Sequence, residues 1–108
     1  MDEKVKKKWL RALRSGKYKQ GQLALRVGSR YCCLGVLCDI SGAKWRNFGF
    51  IPGYSAGELQ GQTEDEALSG EFRRSVGLTK RQVSHLMDMN DGRGKSFEEI
   101  ADYIEEKL

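Results

Sequence analysis

Residues 32–42 read Cys32-Cys33-Leu34-Gly35-Val36-Leu37-Cys38-Asp39-Ile40-Ser41-Gly42, and the state assigned to this run decides the fold. A short apolar run is compatible with a buried strand or a buried helix. Cys33, Leu34, Leu37 and Ile40 fall on one helical stripe and Gly42 supplies a stop, so the run is read as a short helix over 33–40. Upstream, Leu23, Leu25 and Val27 alternate with Ala24 and Arg26, followed by Gly28-Ser29 and then Arg30, Tyr31 and Cys32. That pattern predicts a β-hairpin with a two-residue turn, because Gly accepts the positive φ that a type II′ turn needs at its first central position. Further upstream, Val5, Trp9, Ala12 and Leu13 share one side of a helix predicted over about 3–15, closed by Gly16.

Downstream, residues 43–61 carry the sole proline, several glycines and Trp45, Phe48, Phe50, Ile51 and Tyr54 without period, which reads as a long ordered loop packed down by its aromatics. Three capping-box patterns follow: Thr63 with Glu66, Thr79 with Gln82, and Ser96 with Glu99. They predict helices over about 63–76, 79–90 and from 96 towards the end. Val83, Leu86 and Met87 turn inward in the second, and Phe97, Ile100, Ala101 and Ile104 in the third. The expected fold is α+β: an N-terminal helix, a small hairpin, a central short helix, an ordered aromatic loop and C-terminal helices.

At 108 residues the chain reads as a single domain, 1–108, and 39% hydrophobic residues with 13 Gly exclude wholesale disorder. No apolar run approaches the roughly 18 residues of a bilayer span, and the start lacks a signal-type stretch. Three cysteines, two of them adjacent, suit a reducing compartment, so the expected location is the cytoplasm. The net charge of +4 is unevenly spread: residues 1–30 hold ten Lys or Arg against Asp2 and Glu3, whereas residues 91–108 are acidic. Such polarity serves an acidic partner or lets one end of the chain lie against the other.

No dense catalytic set emerges. Zinc needs four nitrogen or sulfur ligands, and beside Cys32, Cys33 and Cys38 stands the single His85, so the cysteines read as small buried hydrophobes. The segment 88–99 places Asp88, Asn90 and Glu99 like calcium ligands, yet Gly92 is one place early and Arg93 and Lys95 repel a dication. Gly94-Lys95-Ser96 lacks the first glycine and the preceding strand of a phosphate loop. Residues 77–108 have a helix-turn-helix rhythm but finish on an acidic helix, which DNA repels. No catalytic residue, metal or cofactor is assigned. The strongest signal is a basic face formed by Lys4, Lys7, Lys8, Arg11 and Arg14 and extended by Lys17, Lys19, Arg26 and Arg30. Tyr18 and Tyr31 add sparse stacking capacity, and Trp45 and Tyr54 are the loop aromatics expected to anchor a partner.

Taken together, Lys19-Gln20-Gly21, residues 31–39 (YCCLGVLCD), Met89-Asn90-Asp91-Gly92 and residues 96–105 (SFEEIADYIE) resemble a family of small uncharacterised proteins encoded in tailed-phage genomes. The resemblance implies an accessory protein of infection, acting in the host bacterial cytoplasm without catalysis. Such a protein binds and blocks or modulates a host target, for example a nucleic-acid-handling or defence protein, as counter-defence inhibitors do. A second expectation is direct binding of nucleic acid or a nucleotide through the basic N-terminal third.

Overall fold

The computed structural model describes residues 1–47, 54–59, 62–64 and 68–108. The N-terminal helix α1 (Glu3–Arg14) begins at Asp2, whose side chain accepts the Val5 N–H, and Gly16 at φ +74° ends it in the left-handed conformation of a helix terminus. Two short strands follow, β1 (Lys19–Gln20) and β2 (Arg26–Val27), and a tight turn leads into β3 (Arg30–Tyr31). Gly28 holds φ +61°, the value the first position of the expected turn demands.

The central run is the helix α2 (Cys33–Ile40), and it is the heart of the core: every residue from Cys33 to Cys38 is buried. Trp9, wholly inaccessible, donates its indole N–H to the Cys33 carbonyl at 2.9 Å, which fixes α1 against the start of α2. Gly35 is required by close approach, since a Cβ there would lie 1.8 Å from the Leu25 carbonyl oxygen. That same oxygen accepts the Cys32 N–H.

The stretch expected to be an aromatic loop is instead mostly sheet. Strand β4 (Lys44–Asn47) pairs antiparallel with β5 (Tyr54–Leu59), which also pairs with β6 (Gln62–Glu64). Regular periodicity is absent there because Gly57 stands where an inward side chain is expected, and the Trp45 ring covers its Cα so closely that a Cβ would meet it at 3.2 Å. Phe48, Phe50 and Ile51 lie outside the described residues. Among the described residues, one mixed sheet runs β1-β3-β2-β5-β4, with β6 continuing the β2 edge of β5; β1 and β3 are parallel and the other pairs antiparallel.

Two further expectations are corrected. The expected strand over 22–27 survives only as β2: Leu23 takes φ +74° and is 78% exposed, which turns both Ala24 and Leu25 into the core. The helix expected to open at Thr63 opens later, as α3 (Gly70–Ser75), because Ser69 caps the Phe72 N–H while Glu64 of β6 accepts the Ser69 N–H at 2.7 Å. The second and third C-terminal helices hold both remaining capping boxes, α4 (Lys80–Met87) at Thr79/Gln82 and α5 (Phe97–Lys107) at Ser96/Glu99. Between them Asp88–Gly92 forms a π-helical turn where the sequence suggested more α-helix. The fold is α+β, and among the described residues no helix is long and apolar enough to cross a membrane.

Candidate functional site

The basic face divides on α1. Leu10, Leu13 and Trp9 point inward, and the flank carrying Lys6 and Arg14 packs on α5. Arg14 donates to Asp102 at 2.8 Å and to Glu105 at 3.3 Å, with Glu98 at 3.9 Å, and Lys6 donates to the Glu105 carbonyl. The carboxylates of Glu105 and Asp102 raise the Arg14 pKa above its ordinary value. Arg14 therefore joins the two oppositely charged ends of the chain and is withdrawn from a binding face. Lys4, Lys7, Lys8 and Arg11 remain as an exposed stripe at helical spacing.

On the flank of α1 away from α5 two cavities, about 370 Å³ and 290 Å³, adjoin at Lys8 and Ile40. The first is lined by Val5, Ile40, Leu59, Phe72 and Val76, the last three almost wholly buried, together with the polar Lys8, Ser41 and Ser75. The second is formed by Ala12, Ser15, Tyr18 and Ile40 beneath Arg11 and Lys17. Together they make a groove running along α1 from Val5 to Lys17. Its lining is mixed in the first cavity and mainly apolar in the second, and its charged lining residues, Lys8, Arg11 and Lys17, are all cations.

Trp45, expected as a free anchor, is half-buried and engaged. Its indole N–H donates to Asp39 Oδ1 at 2.9 Å, and the Tyr18 hydroxyl donates to Oδ2 of the same carboxylate. Tyr31 stands edge-on between them, 5.0 Å from Tyr18 and 5.8 Å from Trp45, and the Arg26 guanidinium lies over Tyr31 and Trp45. Burial, and then Asp39, push the hydroxyl pKa values of Tyr18 and Tyr31 upward. The cluster clamps α2 to the sheet. The backbone of Tyr54 pairs with Val27; its side chain lies outside the described residues. Lys19 and Arg30 are exposed on β1 and β3, with Arg30 donating to the Gln20 carbonyl.

The segments 19–22, 32–33 and 89–92 converge on Asn90, 1% exposed. Its Oδ1 accepts the Cys33 N–H and the Gln20 amide, and its Nδ2 donates to the Gly21 carbonyl and to Asp91. Gln22 donates in turn to the Asn90 carbonyl. The sequence places Asn90 at the end of a helix and at a calcium-like position, with nothing local to mark it as a junction; the π-helical turn is what swings it inward. The calcium-like segment is disassembled by the same turn: Arg93 takes the Asp88 carboxylate at 2.9 Å, and Glu99 is held by its capping box. Cys32, Cys33 and Cys38 are buried free thiols; burial pushes Cys32 up to about 11 and the other two well above their usual value, so they stay protonated. His85 is half-buried and packs on Tyr103, 4.9 Å between ring centroids.

Residues 1–50 match a family model, the Domain of unknown function (DUF8296). The matched span holds α1, β1, β2, β3, α2 and β4, and so the α1–α2 side of the groove, whereas Leu59, Phe72, Ser75 and Val76, which also line it, lie beyond the match. No curated protein and no solved structure matches the chain.

Proposed function

We propose that the protein is a non-catalytic binding protein whose α1–α2 groove takes an acidic, apolar-centred segment of a partner protein. The groove carries this reading: its second half, at Ala12, Tyr18 and Ile40, offers apolar contact, while Lys8, Arg11 and Lys17 attract and orient carboxylates. Three protonated, buried thiols argue against cysteine nucleophilic catalysis. The resemblance to tailed-phage proteins supports an accessory role in the bacterial cytoplasm, in which the partner is a host nucleic-acid-handling or defence protein that is blocked or modulated. Direct nucleic-acid binding along α1 is disfavoured by the acidic helix α5 lying beside it, where Asp102 and Glu105 hold Arg14.

Affinity capture from host lysate with mass spectrometry tests this on wild type, on Ser75→Trp, which fills the first cavity from an exposed position, and on Lys8→Glu with Arg11→Glu. A specific host protein is retained by wild type at moderate salt and lost by both variants. Retention of the same proteins by all three rejects the groove as the site.

A further inference from the structure

We propose that the outer face of the sheet, turned away from α2, binds the phosphate backbone of a nucleic-acid strand. The pairing register determines which residues share that face. Lys19 stands opposite Arg30, and Arg30 opposite Val27. Val27 in turn pairs with position 54 of β5, from which positions 56 and 58 follow on the same side, and these stand opposite Arg46 and Lys44. The alternate set, Tyr31, Arg26, Trp45 and Glu64, lies on the other side, where Glu64 is buried and Trp45 reaches Asp39 of α2.

Lys19, Arg30, Lys44 and Arg46 are all exposed, against the single described acid of that face, Glu58, which pairs with Arg46. The cations stand in two pairs, Lys19 with Arg30 at the β1–β3 edge and Lys44 with Arg46 at the β4 edge. Between them Val27 is 37% exposed, and Ala56 is buried, so among the described residues the cations and Val27 alone are what this face offers to a ligand. At the usual strand spacing the five strands from β1 to β4 span about 19 Å. Cations spread over that length, with no cleft between them, match a chain that carries a charge every few ångströms. An acidic peptide would also need a pocket for its apolar side chains. Arg30 adds a forked donor suited to phosphate oxygens, and a phosphate reaching Arg46 must share its guanidinium with Glu58. This surface is separate from the α1–α2 groove, since Leu59, which lines the groove, alternates with Glu58 and so faces the inner side.

Fluorescence anisotropy of a labelled 20-nucleotide DNA strand of mixed sequence tests the proposal. Three or four phosphate contacts predict a log–log salt slope of about −2 to −3, so affinity falls about 20- to 50-fold between 50 and 200 mM salt. Replacing Lys19, Arg30, Lys44 and Arg46 by Gln weakens binding at least tenfold and flattens the slope, whereas replacing Lys4, Lys7, Lys8 and Arg11 by Gln changes it less than about threefold. The double variant Lys19→Glu with Lys44→Glu repeats the loss without touching Arg30, which is bonded to Gln20, and circular dichroism checks the fold of each. The proposal is overturned by no anisotropy change for wild type at 50 mM salt, by loss in the α1 variant with the sheet variants unaffected, or by equal competition from poly-glutamate of matched charge. Host-protein capture through the groove is unchanged in the sheet variants, so the two surfaces fail or succeed separately.

Discussion

Replacing Asn90 by Ala removes four side-chain hydrogen bonds at once, to Cys33, Gln20, Gly21 and Asp91. Gln20 and Asp91 are half-exposed and recover water, but the Cys33 N–H is sealed in the core and the Gly21 carbonyl loses its amide partner. An orphaned buried donor or acceptor costs about 1 to 3 kcal/mol, so the expected destabilisation is about 3 to 5 kcal/mol once the vacated side-chain volume is added. For a domain of this size that is a large share of a total near 5 to 15 kcal/mol, and it lowers the thermal midpoint by about 12 to 20 °C. Urea denaturation followed by tryptophan fluorescence reads the loss as a shifted midpoint at constant slope. Gln20→Ala alone costs about 1 kcal/mol, and the double variant falls short of the sum because both changes remove the same bond. A change below about 1 kcal/mol for Asn90→Ala refutes the account of Asn90 as the residue that ties 19–22, α2 and the π-helical turn together.

Leu23 and Leu25 separate by substitution. Leu23→Gly leaves stability unchanged or raises it by up to about 1 kcal/mol, since it relieves a left-handed leucine, whereas Leu25→Ala costs about 2 to 5 kcal/mol; equal effects in urea melts would mean that the inward pair is misassigned. Stability also depends on pH through the thiols. Cys32 rises from 9.0 to about 11 on folding, so its contribution is complete below pH 9 and is lost as pH climbs towards 11. Two units correspond to about 2 to 3 kcal/mol. Urea midpoints at pH 8 and pH 10.5 therefore drop more in wild type than in Cys32→Ala, and parallel drops reject the assignment.

Local chemistry was legible in the residues themselves. Thr79 with Gln82 and Ser96 with Glu99 cap their helices as read, Gly28 makes its turn, and the Phe97, Ile100, Ala101 and Ile104 stripe is buried. What stayed hidden depends on partners remote in sequence. Trp45 belongs to a strand because residues 55–58 lie beside it, and Gly57 erases the alternation that would have shown this. Thr63 loses its helix to Ser69 because β6 takes residues 62–64 into the sheet. The charge asymmetry did foreshadow the Arg14 contact, as one end of the chain lying against the other, but charge alone could not say which cations stay free. Likewise the groove arises from α1, α2, β5 and α3 together, and no single segment carries its outline.

The seam between α1 and α5 also sets a clock on synthesis. Arg14 and Asp102 are 88 residues apart, a delay of about 4 to 18 s at ordinary elongation rates. Until α5 is made, Lys6 and Arg14 lack Glu105 and Asp102, the partners they hold in the folded chain. Closing this seam is therefore a long-range step, slower than contacts local in sequence, and Ile100 and Ile104 join the core with it.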